Sequence, residues 1–298
     1  MKVILKVQSG LCNRLIPFIT GINLSIDMNA SFYLYWDDKC RDLLYKYQGE
    51  NTTYEHMFEY YNNINYITKN EFDNYLNSTK DKLVINFNSD FNYNKNYLSK
   101  FEYIIFNDYY YPIFLNDDQN KFTSYSDKFI FNKIWHNKIS KLFQNLKIKK
   151  NLNLKINKFD NSELIGIHLR HNEKKWAEKN KINEYDFVKK LVQKMYQEIK
   201  LNKNIKFFIS TSNKNILQKL ENIFNNKIIY FKERLGNPKI DFFYNNDSEK
   251  DSCTLNKNLN GLIDLILLSQ CKKIYCKKSS SFSTCAYLMN CDSELIIL

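Results

Sequence analysis

Ile165-Gly166-Ile167-His168-Leu169-Arg170-His171 reads as a buried strand that ends in three nitrogen-rich side chains. Alternation sends Ile165, Ile167 and Leu169 to one face and Gly166, His168 and Arg170 to the other. An Arg at the carboxyl end of a strand faces the crevice where open α/β sheets bind ligands. Its guanidinium can grip phosphate through two parallel hydrogen bonds and stays charged at any working pH. Lys174 and Glu178 follow within eight residues. Together these residues supply a phosphate clamp and a carboxylate able to act as a base, with Glu173 as the competing base. The same spacing also fits a strand followed by a charged surface loop.

Outward from this strand, the second half of the chain alternates regularly. A strand at 163–169 precedes a helix at 184–200, with Phe187, Val188, Leu191, Val192, Met195 and Ile199 at helical spacing and Asn183 as its cap. Strands at 205–210, 227–231, 272–276 and 294–298 alternate with helices at 214–224, 259–270 and 281–290, and a polar loop spans 232–257. Such alternation implies a parallel sheet with helices on both faces. The first half opens with a strand at 2–7 and a helix at 13–28, whose inner face is Leu15, Phe18, Ile19, Ile22 and Ile26. Strands at 31–36, 83–87 and 103–106 and a helix at 133–146 follow, and residues 147–162 form a polar, basic linker. Residues 40–80 give no clear pattern. The two halves suggest two facing α/β domains with a cleft, at 1–150 and 160–298, with a parallel sheet in the C-terminal one.

Composition narrows the classes. The 298 residues carry a net charge of +12, from 44 basic and 32 acidic residues. Such a charge could serve nucleic acid, an anionic surface or a phosphorylated substrate. The basic residues are scattered, and the densest run, Lys147 to Lys150, falls in the linker. The charge therefore reads as solvated surface, and no nucleic-acid partner is expected. The seven Cys (12, 40, 253, 271, 276, 285 and 291) include no C-x-x-C pair and read as reduced, mostly buried thiols. The N-terminus is too short and too charged for a signal peptide, and no apolar run reaches membrane-spanning length. The expectation is a soluble, cytoplasmic chain with no membrane span.

Three further constellations carry chemistry. Ser279-Ser280-Ser281-Phe282-Ser283 links a strand to a helix start. Hydroxyls and N–H groups there can make an anion site, or can simply cap the helix. Asp264 interrupts Leu262-Ile263-Asp264-Leu265-Ile266-Leu267-Leu268, an otherwise apolar helix. A buried carboxylate needs a partner, either a structural Lys or Arg or a ligand donor such as the N1–H and amino group of guanine. The loop Gly10-Leu11-Cys12-Asn13-Arg14, with Gly10, Asn13 and Arg14, can approach a ligand closely between strand and helix. No G-x-G-x-x-G, Walker A, G-x-S-x-G or H-E-x-x-H motif occurs. No D-x-D occurs either, and four His leave little room for a His-based metal centre, so no metal is expected.

Taken in order, these blocks resemble the α1,6-fucosyltransferase family, especially its nodulation (NodZ-like) branch. They are more distantly similar to the N-glycan core enzyme and the protein O-fucosyltransferases. The blocks are Ser9-Gly-Leu-Cys-Asn-Arg-Leu15, Ile165 to His171, Phe207-Phe-Ile-Ser-Thr211-Ser212, and Gly261 to Cys271 with Ser279 to Ser283. The resemblance is good from 163 to 291 and weak elsewhere. It implies an α/β, GT-B-like fold of two facing Rossmann-like domains with a cleft, the donor held by the second domain. It further implies metal-independent, inverting transfer of fucose from GDP-fucose to a glycan acceptor, with no cofactor. Arg170 matches the Arg that neutralises the β-phosphate, Glu178 the catalytic base and Lys174 its companion. His168 and Asp264 match residues that hold the guanine nucleotide. Ser279, Ser280 and Ser281, beside Phe282, match the phosphate side, and Thr211 ends the Thr-rich turn. The chain departs from the core enzyme at His171, where that enzyme has a second Arg. It departs again at Ser212 and Asn213, where the family carries an Asp.

The reading is a glycosyltransferase of glycan biosynthesis, most simply GDP-fucose-dependent. Two alternatives stand beside it. One is the same fold with another donor, such as GDP-rhamnose or a UDP-sugar. The other is a basic glycan- or nucleic-acid-binding module that has lost catalysis.

Overall fold

The computed structural model describes residues 1–8, 10–37, 54–61, 63–86, 91–108, 112–116, 121–124, 133–156, 164–169, 184–211, 213–232, 250–277 and 280–298. Of these, 114–116, 122–124, 154, 184, 185 and 250–258 are described by backbone alone. The chain divides into two compact units, Met1–Asn153 with Glu249–Leu259, and Leu154–Ser248 with Asn260–Leu298.

The first unit is built on strands β1 (Lys2–Val7), β2 (Ser31–Trp36), β3 (Ile64–Tyr66), β4 (Lys82–Asn86) and β6 (Tyr103–Asn107). They form a parallel sheet in the order β3-β2-β1-β6-β4. The central strand β1 is an apolar run, and Val3, Ile4 and Leu5 are all fully buried. Both its faces are covered, as parallel sheets require. Three short strands, β5 (Asn92–Asn94), β7 (Ile113–Asn116) and β8 (Lys121–Ser124), form a separate antiparallel sheet that the sequence reading did not anticipate.

Helix α1 (Leu11–Asp27) is buried along most of its length. Leu15, Phe18, Ile19 and Ile22 lie inside as expected, whereas Ile26, on the last turn, is 61% exposed. Gly21 permits the close approach of α1 to the sheet: a Cβ there would stand 3.0 Å from the Phe32 ring. The Thr20 hydroxyl accepts the Ile113 N–H at 3.0 Å, tying α1 to β7. The uncharted stretch before 80 contains α2 (Tyr54–Met57) and α3 (Lys69–Leu76). The latter starts in a capping box, with Thr68 and Glu71 each bonding the other's backbone. Helices α4 (Lys95–Leu98), α5 (Lys133–Gln144) and α6 (Lys150–Ile156) follow. Helix α6 lies within the stretch expected as a linker, 147–162, where the division between the two units also falls; its Leu152 and Ile156 are buried.

The second unit holds strands β9 (Leu164–Leu169), β10 (Lys206–Thr211), β11 (Ile228–Ile229), β12 (Lys273–Cys276) and β13 (Glu294–Ile297), all parallel, in the order β11-β10-β9-β12-β13. The helices are α7 (Glu184–Leu201), α8 (Lys214–Phe224), α9 (Lys250–Ser269) and α10 (Ser281–Met289). Ile165, Ile167 and Leu169 pack with Phe187, Leu191 and Met195 of α7 and with Leu217, Leu220 and Phe224 of α8. The opposite face of β9 meets α9. A Cβ at Gly166 would stand 2.6 Å from Leu268 Cδ1 and 3.1 Å from both Cys271 Cβ and Sγ. Helix α9 starts at Lys250 rather than 259, so the polar loop expected at 232–257 ends earlier. Residues 261–268 of this helix are buried on every side, the pattern of a central helix.

Candidate functional site

Strand order locates the second unit's ligand edge. The chain runs outward from β9 through β10 to β11, then returns to the other side of β9 for β12 and β13. The switch point lies between β9 and β12, and in open α/β sheets ligands bind at the carboxyl ends of the strands there. His168 is the penultimate residue of β9, and Ser280 opens the helix that follows β12. The two strands and one helix that the sequence singled out therefore converge at this edge.

The contacts at the edge are specific. His168 Nδ1 lies 2.7 Å from Ser283 Oγ and 3.1 Å from Ser280 Oγ. The imidazole stacks on the Phe282 ring, with centroids 4.8 Å apart and planes at 26°. Ser280 is also the N-cap of α10, its Oγ accepting the Ser283 N–H at 3.4 Å. Of the two readings of the serine run, the capping one is seen at Ser280, which also bonds the histidine of the neighbouring strand. Ser281 and Phe282 are half-buried in the first turn of α10.

Next to His168 across the β9–β10 ladder stands Ser210. Its hydroxyl donates to Asp264 Oδ2 at 2.5 Å, with Ser210 and Asp264 each 1% exposed. The sequence had offered Asp264 a structural cation or a ligand donor; the Ser210 hydroxyl is a partner it did not foresee. The Cys271 thiol is pushed up to about 12, first by burial and then by the negative charge of Asp264. Burial likewise pushes the Cys276 thiol up to about 11, against a hydrogen bond with Ser283 that favours the thiolate. Thr211 turns inward, donating from Oγ1 to the Leu169 carbonyl at 2.9 Å and accepting the Asn213 N–H at 3.1 Å. Asn213 in turn caps α8, its Oδ1 receiving the N–H groups of Asn215 and Ile216. Asp264, Ser210, His168, Ser280 and Ser283 make a polar row beneath the carboxyl edge of an otherwise apolar sheet.

Sequence reasoning missed Ser210 and Ser283. Ser210 could have been found as the first of three hydroxyl residues that follow the apolar Phe207 to Ile209, and Ser283 by its spacing of three from Ser280, one turn along a helix face. Arg170, Lys174, Glu178 and Ser279 lie outside the described residues, as do His171, Glu173 and Asn183.

The first unit has a corresponding edge, because its chain reverses between β1 and β6. The Gly10 carbonyl accepts the Arg14 N–H at 3.2 Å and starts α1. A Cβ at Gly10 would meet nothing within 4 Å, so close packing does not demand glycine there. Asn13 is half-buried in the first turn. Arg14 is 2% exposed, its guanidinium 5.5 Å from the Trp36 ring centroid. Lys6 Nζ joins the ends of three strands, 2.9 Å from Asp108 and 3.5 Å from Asp37. Among the described residues no group of three His, Cys, Asp or Glu could hold a metal ion, and no helix is long and apolar enough to cross a membrane.

The fold, two α/β units each built on a five-stranded parallel sheet, is GT-B. The chain is similar to the solved fucosyltransferase NodZ from Bradyrhizobium, at 14% identity over 97% of this chain and 92% of that one, with a TM-score of 0.56. It is similar to a mutant of Arabidopsis thaliana FUT1 in complex with GDP, at 12% identity over 100% of this chain and 70% of that one (TM-score 0.57). It is also similar to POFUT1 in complex with GDP-fucose, at 8% identity over 100% and 98% (TM-score 0.52). No protein-family model matches the sequence, and no curated protein does. Identities this low establish the fold, and activity has to be argued from the site.

Proposed function

We propose that the protein is an inverting, metal-independent glycosyltransferase that moves fucose from GDP-fucose to a glycan hydroxyl. The observation that carries this reading is the polar row at the β9–β12 switch point, set in a fold shared along the whole chain with NodZ soaked with GDP-fucose. The second unit would hold the nucleotide, and the first would face the acceptor. His168, Asp264, Thr211 and the serine-rich start of α10 are the donor-side residues in this reading.

The chemistry assigned to the chain is simple. The acceptor oxygen attacks the anomeric carbon as the bond to the diphosphate breaks and GDP departs with the electron pair. Glu178, with Lys174 beside it, takes the acceptor proton; general-base help of this kind is typically worth about 10²–10⁴ in rate. Arg170, next in sequence after β9, neutralises charge growing on the leaving diphosphate; loss of one such fixed donor typically costs about 10²–10³. The sugar passes through an oxocarbenium-like state. The buried thiols fit a reducing compartment such as the cytoplasm.

One observation favours a second donor. Asn213, near the position of the family's Asp, spends its side-chain oxygen on capping α8. The same fold could then select another sugar nucleotide.

Calorimetric titration with GDP, GDP-fucose, UDP and ADP in the presence of EDTA tests the reading. Binding of GDP and GDP-fucose alone is the expected result. Preference for UDP would keep the fold and discard the donor. Failure to bind any nucleotide would overturn the assignment.

A further inference from the structure

We propose that Ser283 is a positioning residue that, with Ser280, holds His168 as the Nε2–H tautomer at the ligand edge of the second sheet. The consequence for binding rests on the donor-site reading above; the tautomer itself does not.

Two hydroxyl oxygens converge on one ring nitrogen, at 2.7 Å from Ser283 and 3.1 Å from Ser280. A hydroxyl can donate once and accept twice. Ser280 Oγ already accepts the Ser283 N–H as the cap of α10. Its own proton then points away from that N–H, and Nδ1 is the acceptor within reach. Ser283 Oγ makes the shorter contact from one turn further along the helix. Its Oγ also faces the Cys276 thiol, which burial keeps protonated; the S–H donates to that oxygen and leaves the single Ser283 proton for Nδ1. With hydroxyl protons directed at it, Nδ1 carries none, and the neutral ring places its proton on Nε2. That nitrogen can then only donate, which suits an oxygen of a bound nucleotide. The stacked Phe282 ring fixes the plane of the imidazole. Ser283 is fully buried, so it acts on a ligand through the histidine and not by touching it.

The same dyad explains an otherwise odd sequence feature. A serine in the first turn of an apolar helix is normally read as a capping residue. Here the capping residue is Ser280, and Ser283 is left for the ring.

Histidine-selective ¹⁵N NMR of the ligand-free protein reads the tautomer directly, with the His168 signal assigned by its loss in His168→Gln. The expected result is an unprotonated Nδ1 and a protonated Nε2. Ser283→Ala should mix the tautomers and raise the Kd for GDP about three- to tenfold, roughly one hydrogen bond's worth. Ser283→Thr, which keeps the hydroxyl, should restore both. An Nδ1–H ring in the wild type, or an unshifted tautomer in Ser283→Ala, overturns the inference. A shifted tautomer with unchanged GDP affinity overturns the positioning role. Wild-type protein with the expected tautomer and no affinity for GDP would instead sink the donor-site reading and leave the tautomer assignment standing.

Discussion

The Ser210 hydroxyl donates to Asp264 Oδ2 at 2.5 Å, joining β10 to the buried helix α9. A carboxylate 1% exposed depends on such a donor. Ser210→Ala should therefore cost about 1–3 kcal/mol of stability, the penalty for leaving a buried polar group short of a partner. Asp264→Asn in the Ser210→Ala background removes the charge and should recover part of that loss. Urea unfolding of the two variants checks this. Equal midpoints for wild type and Ser210→Ala would show that the bond contributes nothing.

Gly166 and Leu268 set the distance between β9 and α9. A Cβ at Gly166 would sit 2.6 Å from Leu268 Cδ1, with the Cys271 side chain next in line. Overpacking of this kind typically costs about 1–3 kcal/mol. Gly166→Ala should lower stability by that order, and Leu268→Ala should relieve part of the strain while opening a cavity of its own. The two changes in combination should then destabilise less than their sum, because neighbours in contact do not add. Strict additivity in thermal unfolding would argue against the contact.

The legibility of this chain follows how its elements are buried. β1, β2, β9, β10 and β12 were readable because short apolar runs between polar segments are what a parallel sheet with two covered faces demands. Helix α7 was readable because Phe187, Leu191 and Met195 keep the helical period against one face. Other elements gave weaker signals. The first part of α9 is polar, in Lys250-Asp-Ser-Cys-Thr-Leu-Asn-Lys-Asn258, and has no apolar stripe to announce a helix. β5 is Asn-Tyr-Asn, a composition that favours turns as much as strands. The start of α3 was legible in principle, since Thr68 and Glu71 have the spacing of a capping box. In the site, residue types were visible but pairings were not. Nothing in the apolar helix told Asp264 to seek Ser210, because that partner comes from a strand 54 residues away.

The buried thiols make a pH prediction. Cys271 is pushed up to about 12 and Cys276 to about 11, from an ordinary value of 9.0, by burial. A folded-state value raised above the unfolded one means the unfolded chain ionises first. Stability is then fully present below about pH 9 and declines as pH rises toward the folded values, because the native state holds protons that the unfolded state has lost. Denaturant midpoints measured from pH 7 to pH 10.5 should fall at the alkaline end. The Cys271→Ala/Cys276→Ala variant should lose less over that range. In the native protein at pH 8, iodoacetamide should spare Cys271 and Cys276 and label the half-buried Cys291 ahead of them, as read by peptide mass spectrometry. Rapid native labelling of Cys276 would contradict its placement beneath the site.

Arg170 and Glu178 separate binding from chemistry in the proposed reaction. In the proposed reaction Arg170 is the fixed cation for the diphosphate, so Arg170→Ala should weaken GDP binding and bring transfer to background. Glu178 is assigned only to the acceptor proton, so Glu178→Gln should bring transfer to background while GDP binds as in the wild type. Lys174→Met should fall between them, lowering kcat more than it changes the Kd for GDP, because it acts through the carboxylate. A pH–rate profile adds a check, since removing a general base should abolish the acidic limb of the curve. Full activity of Glu178→Gln would pass the role of base to Glu173 or to the substrate itself. Unchanged GDP affinity in Arg170→Ala would move the phosphate subsite away from the end of β9 and toward the serine-rich start of α10.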